Sequence, residues 1–424
     1  MPREFQYTPL DEALRILFRN LVPRERAEEV AVRRAYGRLL SADVVAKDDM
    51  PLRDVSHFDG FAVNSFDTTR ASKAGPVTLA LRRGTEHVGL FPKEKLMLGE
   101  AMKISTGGYV PKGADAVVAV EDATQSAGTV IVDAPVRKGE HIYAAGQDVK
   151  KGERVLLSGR TLKGQDLAML ASLHITKVSV RRKPMVAIIP TGTELTANIA
   201  ETRSGKVVES HSLLLGRLIE EAGGQVVKSG IIPDEKRALR RALKGALRRS
   251  DIVLTLAGSS VGEPDLVEST ITSFGRSTTV LVHGIRVHRG RVMGVAVVEG
   301  KPVVVLPGPV QGALNAFILF GYPLIRHHLG LGLEEPPAVQ AVVAEDWEAS
   351  GKFKDFDQIV YLKLEKEGAG ERARMVALPA SGETEKMSFL LSKNGYALVS
   401  GKKGKLSKGE TIWVRLLPGF SMLD

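Results

Sequence analysis

The spacing of apolar residues gives the chain three stretches of different character. Residues 76–160 carry short Val and Ile runs that Gly interrupts every few residues, a pattern typical of β-strands joined by turns. From residue 181 onward, short apolar runs such as MVAIIP (185–190) alternate with amphipathic segments. Such alternation predicts a doubly wound, mainly parallel sheet. After Pro336-Pro337 the β pattern with Gly turns returns, so we predict a separate C-terminal β domain.

Two helices have clear boundary signals within this pattern. Thr8-Pro9 precedes acidic residues and an apolar stripe, which predicts a helix beginning there. Ser210 precedes a second helix, which we expect to end at Glu221 before a pair of glycines. The fold class predicted by these signals is multidomain α/β plus β.

Composition excludes several classes of function. The 424 residues include no Cys, which excludes disulfides, thiolate catalysis and Cys-ligated zinc or iron–sulfur sites. No apolar run approaches the ~18 residues needed to span a bilayer, and the N-terminal segment lacks an apolar signal core. We therefore expect a cytoplasmic protein without a membrane partner.

The formal charge of +10 favours anionic partners. Only 5% of the residues are aromatic, which leaves few platforms on which nucleic-acid bases could stack. The densest basic run, residues 240–250, also carries apolar residues at helical spacing and is interpreted as a solvated helix face. A phosphorylated small molecule is thus favoured over nucleic acid.

The stretch PLRDVSHFDGFAV (51–63) crowds carboxylates, a hydroxyl and an imidazole beside an Asp-Gly pair. Asp59-Gly60 between hydrophobic residues is a strong signal for a type I′ turn, so a β-hairpin is predicted. The same residues leave a second interpretation open, in which the turn presents Asp59 to a ligand.

Four predicted strand ends could carry the chemistry, because ligands bind at the carboxyl ends of strands in an open α/β sheet. These ends are PTGTEL (190–195), IIPDEK (231–236), LAGSSVGEPD (256–265) and LPGPV (306–310). Backbone amides in the Gly-rich 258–262 turn suit a phosphate. A phosphate among carboxylates needs a hard cation between them, which favours Mg²⁺. The alternative is a set of ordinary caps and turns, and Asp234 taken alone fits a helix N-cap.

Five sequence blocks in a fixed order resemble one protein family. They are DMPLRDVSHFDGFAV, STGGYVPKGADAVVAVED (105–122), PTGTEL, GSSVGEPD, and LPG together with the C-terminal KNGYALV (393–399). In this order they resemble the molybdopterin molybdenumtransferases, the MoeA and gephyrin E-domain family. The blocks cover nearly the whole chain.

The resemblance implies a homodimer whose protomers have four domains. These would be a discontinuous helical domain at 1–50 and 146–180, an inserted β domain at 51–145, an α/β molybdopterin-binding domain at 181–332, and a C-terminal β-barrel at 333–424. It also implies that the site forms between the α/β domain of one subunit and the β domain of the other.

The resemblance further implies a reaction in molybdenum cofactor biosynthesis. Members of the family insert molybdate, or tungstate, into adenylylated molybdopterin and release AMP, with Mg²⁺ as the cation. The substrate is a pterin nucleotide, and the molybdopterin adenylyltransferase that supplies it is a candidate partner. Neither nucleic acid nor a membrane is expected as a partner.

Residue roles follow from the matched positions. The catalytic candidates are Asp59, Thr106 and Asp265. Metal binding would involve Glu194 together with Asp59 and Asp265. The pterin nucleotide would be bound by residues of the strand-end loops, namely Asp234, Gly258, Ser260, Gly262, Pro307 and Gly308.

The chain departs from the family pattern where basic residues are usual. Tyr143-Ala144-Ala145 replaces a basic cluster, and Gly284 and His288 lie opposite two family lysines. Arg286, Arg289 and Arg291 are candidate replacement contacts for the oxyanion, although Arg and Lys are not interchangeable. These departures motivate an alternative function, a catalytically weakened relative that binds or carries molybdopterin without inserting metal.

Overall fold

The computed structural model describes residues 6–21, 26–83, 88–257, 266–333, 335–368, 374–380 and 387–417. The chain divides into two compact units: unit 1 contains residues 1–26 and 181–424, and unit 2 contains residues 27–180. The first helix, α1 (Leu10–Arg19), packs against strands of unit 1. Residues 1–26 therefore group with unit 1, whereas the family resemblance placed them with residues 146–180.

Unit 2 is mostly β-structure, as the Gly-interrupted apolar runs predicted. Its short helices are α2 (Ser65–Thr68) and α3 (Gly164–Ser172). Its strands are β1 Ala27–Ala31, β2 Val44–Val45, β3 Val55–Ser56, β4 Gly60–Val63, β5 Val77–Arg82, β6 Glu100–Ile104, β7 Ala116–Ala119, β8 Ala123–Ser126, β9 Thr129–Val132, β10 Ile142–Tyr143, β11 Arg154–Leu156 and β12 Lys177–Arg181. Six of them form one mixed sheet in the order β7-β4-β6-β5-β9-β8.

The hairpin predicted at Asp59-Gly60 is wrong. β3 pairs with β10, and β4 pairs with β6 and β7, so the strands flanking the dipeptide do not pair with each other. Gly60 does not adopt a positive φ. A Cβ added at Gly60 would lie 2.0 Å from the carbonyl oxygen of Val118 on β7. Close approach of two backbones, not turn geometry, therefore requires glycine here.

The α/β part of unit 1 is built around a six-stranded sheet in the order β16-β13-β17-β21-β20-β18. Its strands, with three short ones outside the sheet, are β13 Met185–Pro190, β14 Leu195–Thr196, β15 Val207–Val208, β16 Gln225–Lys228, β17 Ile252–Leu256, β18 Thr278–His283, β19 Val287–His288, β20 Gly294–Val298 and β21 Lys301–Leu306. The first four strands in the sheet order are parallel to one another. β20 is antiparallel to both of its neighbours, β21 and β18. The mainly parallel sheet is thus confirmed.

Helices cover this sheet and complete its core. They are α4 His211–Glu221, α5 Lys236–Arg249, α6 Leu266–Thr272, α7 Val310–Ala316 and α8 Tyr322–His328. Leu239 and Leu243 of α5 are fully buried against Val253 and Val303 of the central strands. The helix predicted from Ser210 to Glu221 is confirmed. Among the described residues no helix is long and apolar enough to cross a membrane.

The C-terminal part of unit 1 is a β-barrel, as predicted. Its elements are β22 Ala338–Val343, β23 Trp347–Glu348, β24 Asp357–Glu367, β25 Arg374–Pro379, α9 Met387–Leu390, β26 Gly395–Val399, β27 Lys405–Leu406 and β28 Thr411–Leu416. The order β24-β25-β22-β28-β26 closes on itself because β26 also pairs with β24. β19 pairs in parallel with β24 and joins the barrel to the α/β part.

Candidate functional site

Asp59 and Thr106, both predicted site residues, lie together in unit 2. The backbone N–H of Thr106 donates to Asp59 Oδ1 at 2.6 Å, and the Thr106 hydroxyl donates to the same oxygen at 3.1 Å. Among the described residues Oδ2 has no hydrogen-bond donor, and the Asp59 side chain is exposed. One carboxylate oxygen is therefore fixed by the protein, and the other faces outward.

The Thr106 contacts keep Asp59 charged. The backbone N–H of Thr106 lowers the pKa of Asp59 most, and the Thr106 hydroxyl lowers it further. Both donors favour the ionised carboxylate, since hydrogen bonds to a charged form stabilise that form. Asp59 thus presents a permanent negative charge at neutral pH.

Pairing between the two motif segments fixes the position of Thr106. Ser56 donates its N–H to the Gly108 carbonyl, and Gly107 donates to the Ser56 carbonyl, each at 2.8 Å. Gly107 adopts a φ of +79°, which favours glycine directly after Thr106. Asp54 accepts the Ala145 N–H at 2.8 Å, so its carboxylate is structural.

In unit 1 the PTGTEL segment is tied to neighbouring strand ends. Thr191 donates its N–H to the Leu256 carbonyl at 2.9 Å and its hydroxyl to the same oxygen at 3.2 Å. Thr193 donates its N–H to Asp234 Oδ2 at 3.2 Å, and Asp234 donates its N–H to the Thr193 hydroxyl at 3.3 Å. Three of the four predicted strand-end segments, 190–195, 231–236 and 256–265, are thereby brought into contact.

The interpretation of Asp234 as a helix N-cap is wrong. The residue preceding α5 is Glu235, which makes no side-chain capping bond, and the Asp234 carboxylate is directed to Thr193 instead. Glu194 is exposed, so its carboxylate is open to solvent beside the same segment. Both acids lie where the strand-end argument placed them.

The LPG loop lies beside the end of β17. A Cβ added at Gly308 would lie 3.4 Å from Cβ of Ala257, and Pro307 is buried. His211, at the first position of α4, forms a hydrogen bond with the backbone of Gly308. Burial is the main effect on His211 and lowers its pKa. Sequence reasoning missed His211, whose only signal was its place directly after the helix-opening Ser210.

Four predicted site residues lie outside the described part of the chain. They fall in the segment that follows Ala257 and are Gly258, Ser260, Gly262 and Asp265. Their roles stay predictions from the family blocks. Within the described ranges, no group of three or more His, Asp or Glu residues is arranged to hold a metal ion.

Two cavities of ligand size lie in the described part of unit 1, and the first of them adjoins the strand-end loops. The first, the α4 cavity, measures about 440 Å³ and is lined by residues of α4 and β16 together with Pro190, Glu209 and Ile231. The second, the barrel cavity, measures about 380 Å³ and is lined by His288, Arg289, Gln311 and barrel residues that include Tyr361. Both belong to unit 1.

The barrel cavity contains unsatisfied polar atoms. Within the described residues Gln311 Oε1 and His288 Nδ1 are buried without a hydrogen-bond partner, and Gln311 is only 4% exposed. Burial lowers the pKa of His288, and the charges of Arg289 and Arg291 lower it further. Buried polar atoms without a partner are rare, so this cavity is suited to a polar ligand.

Buried polar groups next to the barrel cavity are linked by hydrogen bonds. The Tyr361 hydroxyl donates to Asn315 Oδ1 at 2.6 Å, and Asn315 Nδ2 donates to the Arg289 carbonyl at 2.7 Å. Burial raises the pKa of Tyr361 well above its ordinary value, so the hydroxyl stays a donor. No sequence pattern indicated these hydrogen-bonded groups, because they lie far apart along the polypeptide.

The three candidate anion-binding arginines have different environments. Arg289 lines the barrel cavity. Arg286 donates to the Asp355 carbonyl at 3.3 Å and lies over the Phe356 ring. The Arg291 guanidinium lies 4.6 Å from the centre of the Phe353 ring. Of the three arginines, Arg289 is the one that lines the barrel cavity.

Comparison with known proteins matches two family models to successive parts of the chain. Residues 8–173 match the MoeA N-terminal region (domain I and II), and residues 187–327 match the probable molybdopterin binding domain. A molybdopterin molybdenumtransferase of Staphylococcus aureus is 31% identical, with 77% of each chain covered. One of Nostoc sp. is 30% identical, with 82% of each chain covered. The crystal structure of a molybdopterin biosynthesis MoeA protein from Pyrococcus horikoshii superposes with a TM-score of 0.83 at 30% identity, over 98% of this chain and 100% of that one.

Proposed function

Because the chain belongs to the MoeA family of molybdopterin molybdenumtransferases, we propose that it inserts molybdate or tungstate into adenylylated molybdopterin and releases AMP. Its place in molybdenum cofactor biosynthesis and its enzyme class follow from the family. The AMP-releasing chemistry, the cation and the assembly are the proposal.

The observation that supports this chemistry best is the charged state of Asp59. A carboxylate whose pKa is lowered by two Thr106 donors is a weak base at neutral pH, so it is poorly suited to remove a proton. It is well suited to hold a cation with its outward oxygen. We therefore assign Asp59 to the cation, with Thr106 as the residue that positions it.

The acids of the described residues fit Mg²⁺, which binds through one or two carboxylates and substrate phosphates. Asp59 and Glu194 are each exposed carboxylates and are the proposed ligands of the ion. Mg²⁺ would neutralise charge on the phosphates of the nucleotide as AMP leaves. Asp265 stays a predicted third carboxylate.

We assign the oxyanion substrate to the barrel cavity. Buried Gln311 and His288 each have a side-chain atom without a partner there among the described residues, and Arg289 contributes to the lining. A neutral His288 can donate one ring N–H, and the Gln311 amide can donate in its other orientation. These groups supply donors where the family more often has lysines.

Release of AMP from adenylylated molybdopterin tests the proposal directly. Purified protein with Mg²⁺ should release AMP in a molybdate- or tungstate-dependent manner, and Asp59→Asn should lower the rate by roughly 100-fold because the cation loses a carboxylate. Asp115→Asn, an acid of the same unit that binds the Ser65 N–H, is the matched control. Absence of oxyanion-dependent release from the native protein would refute the proposal.

The alternative, a relative that carries molybdopterin without inserting metal, gives a different result. Calorimetry would then show tight binding of the pterin nucleotide, while the release assay with either oxyanion would show no turnover. The replacement of family lysines by Gly284 and His288 is the observation behind this alternative.

Homodimer assembly is also a proposal and can be tested by complementation. If the Asp59 surface of one copy faces the strand-end loops of another, a mixture of Asp59→Asn and Asp234→Asn chains should regain activity after exchange of subunits. Each variant alone should stay inactive. Sedimentation equilibrium gives the assembly state independently, and a monomer at micromolar concentration would contradict the proposal.

A further inference from the structure

Unit 2 carries an exposed stack of one cation and two aromatic rings. The Arg53 guanidinium lies 4.0 Å from the centre of the Phe91 ring. The Phe91 and Tyr109 ring centres lie 4.4 Å apart at an interplanar angle of 37°. We call these three residues the Arg53 platform. The contact holds a guanidinium in one place by cation–π attraction.

Within the described part of the chain, no residue accepts a hydrogen bond from the Arg53 side chain. The guanidinium forms no ion pair with the described residues and lies over the Phe91 ring. The neighbouring acid, Asp54, already accepts the Ala145 N–H. Five N–H donors in a fixed plane are thus open to an external acceptor.

The platform belongs to the same surface segment as the Asp59–Thr106 pair. Val55 forms a bridge with Tyr109, Val110 donates to the Asp54 carbonyl, and Ser56 pairs with the Gly107–Gly108 turn. Tyr109 is three residues beyond Thr106, on the other side of the Gly107–Gly108 turn, so the platform and the Asp59–Thr106 pair share this segment.

The local charge also favours an anion. Lys95 forms a backbone bridge with Lys112, which places these two lysines beside the segment that carries Tyr109. Neither lysine has an ion pair among the described residues, and Glu94 is the acid between Lys93 and Lys95. Three lysines, Lys93, Lys95 and Lys112, and one acid, Glu94, therefore lie close together on these two bridged segments, although the basic cluster usual before Gly146 is replaced by Tyr143-Ala144-Ala145.

We propose that the Arg53 platform binds a phosphate group of a nucleoside phosphate. A guanidinium can bind phosphate through two parallel N–H donors, a geometry that a lysine cannot reproduce. Phe91 holds the guanidinium, and the Tyr109 ring packs against Phe91. This assignment rests on the proposed function in so far as the ligand in the cell is the adenylylated pterin.

Binding to the full-length protein measures the platform without the release reaction. Calorimetric titrations would use AMP, inorganic pyrophosphate and adenosine as probes. Arg53→Gln should weaken AMP and pyrophosphate about tenfold and leave adenosine unchanged. Arg53→Lys should lie between Arg53→Gln and the native protein, and Phe91→Leu should weaken both phosphates less than Arg53→Gln does.

The matched control is Arg70→Gln, which removes an exposed arginine of the same unit. The proposal is overturned if Arg53→Gln binds AMP and pyrophosphate as the native protein does, or if Arg70→Gln loses as much. It is also overturned if adenosine binding falls in parallel, because the platform would then recognise the ring and not the phosphate. Thermal unfolding of each variant shows that the fold is retained, as expected for exposed side chains.

The two proposals fail in different ways. A native protein that binds AMP through Arg53 but releases none from the adenylylated substrate refutes the proposed reaction and supports the platform. Both the proposed reaction and the platform are supported if Asp59→Asn blocks AMP release while the affinity for pyrophosphate still depends on Arg53.

Discussion

Replacing Gly60 tests why the Asp-Gly pair is present. An alanine Cβ would lie 2.0 Å from the Val118 carbonyl oxygen, whereas real Cβ contacts essentially never fall below 3.0 Å. β4 and β7 would have to separate by at least the difference, about 1 Å. Overpacking of this kind costs about 1–3 kcal/mol and occasionally more. We expect Gly60→Ala at the upper end, because the obstructing atom belongs to backbone in a four-residue ladder.

Gly60→Asn separates the structural explanation from the one predicted by the sequence. A type I′ turn needs positive φ, which Asn tolerates well, so a hairpin predicts a mild effect. Close approach of β7 predicts that Asn is at least as harmful as Ala, since both introduce a Cβ. Gly164→Ala is the matched control, because nothing lies within 4 Å of a Cβ there and the residue begins α3.

Urea unfolding followed by circular dichroism gives the magnitude, and hydrogen exchange of peptides from β4 and β7 gives the location. With an m-value of about 2 kcal/mol/M, a loss of about 3 kcal/mol lowers the midpoint by about 1.5 M. Exchange should accelerate in residues 60–63 and 116–119. A Gly60→Asn protein whose midpoint and exchange match those of Gly164→Ala would refute the reasoning.

Three other substitutions test individual contacts. Tyr361→Phe leaves buried Asn315 Oδ1 without its donor and should destabilise unit 1 by about 1–3 kcal/mol; an unchanged urea midpoint by tryptophan fluorescence would contradict this. Arg160 lowers the pKa of Asp166, so Asp166→Asn should reduce the free energy of unfolding most above about pH 4. This reduction should vanish as the pH falls through the lowered pKa of native Asp166. A difference in urea stability that does not change with pH would contradict the prediction. Thr106→Val removes the weaker of two donors, so the acid limb of the AMP-release profile should move to higher pH, whereas Thr106→Ser should leave it in place.

The fold could be predicted from the sequence wherever one face of an element must be buried. α5 shows this well: its leucines at positions 239 and 243 recur at helical spacing and are fully buried against the sheet. The closing pair of the barrel, β24 with β26, could not be predicted, because strand pairing depends on partners distant in sequence. The packing of α1 in unit 1 could not be predicted either, because α1 contacts strands that are distant in sequence, β18 and β20.

The candidate site was predicted in part. The strand-end argument placed Asp234 and Glu194 correctly on adjoining loops, because parallel strands end at the same edge of the sheet. It could not give the direction of the Asp234 carboxylate, which prefers Thr193 over the amides of α5. The barrel cavity was not predicted, because it forms only when β19 joins the barrel to the α/β part.

Gly60 and Asp59 connect stability to chemistry in unit 2. The close approach of β7 fixes the backbone at Gly60, and the preceding Asp59 carbonyl accepts the Val120 N–H at 2.9 Å, immediately after the same strand. Asp59 is thereby fixed on the β7 side while its carboxylate accepts both Thr106 donors. A substitution that separates β4 from β7 should therefore also displace the carboxylate, and the Asp59 pKa should rise as the donors are lost. The glycine is thus required by the site as well as by the sheet, although no glycine atom needs to contact the ligand.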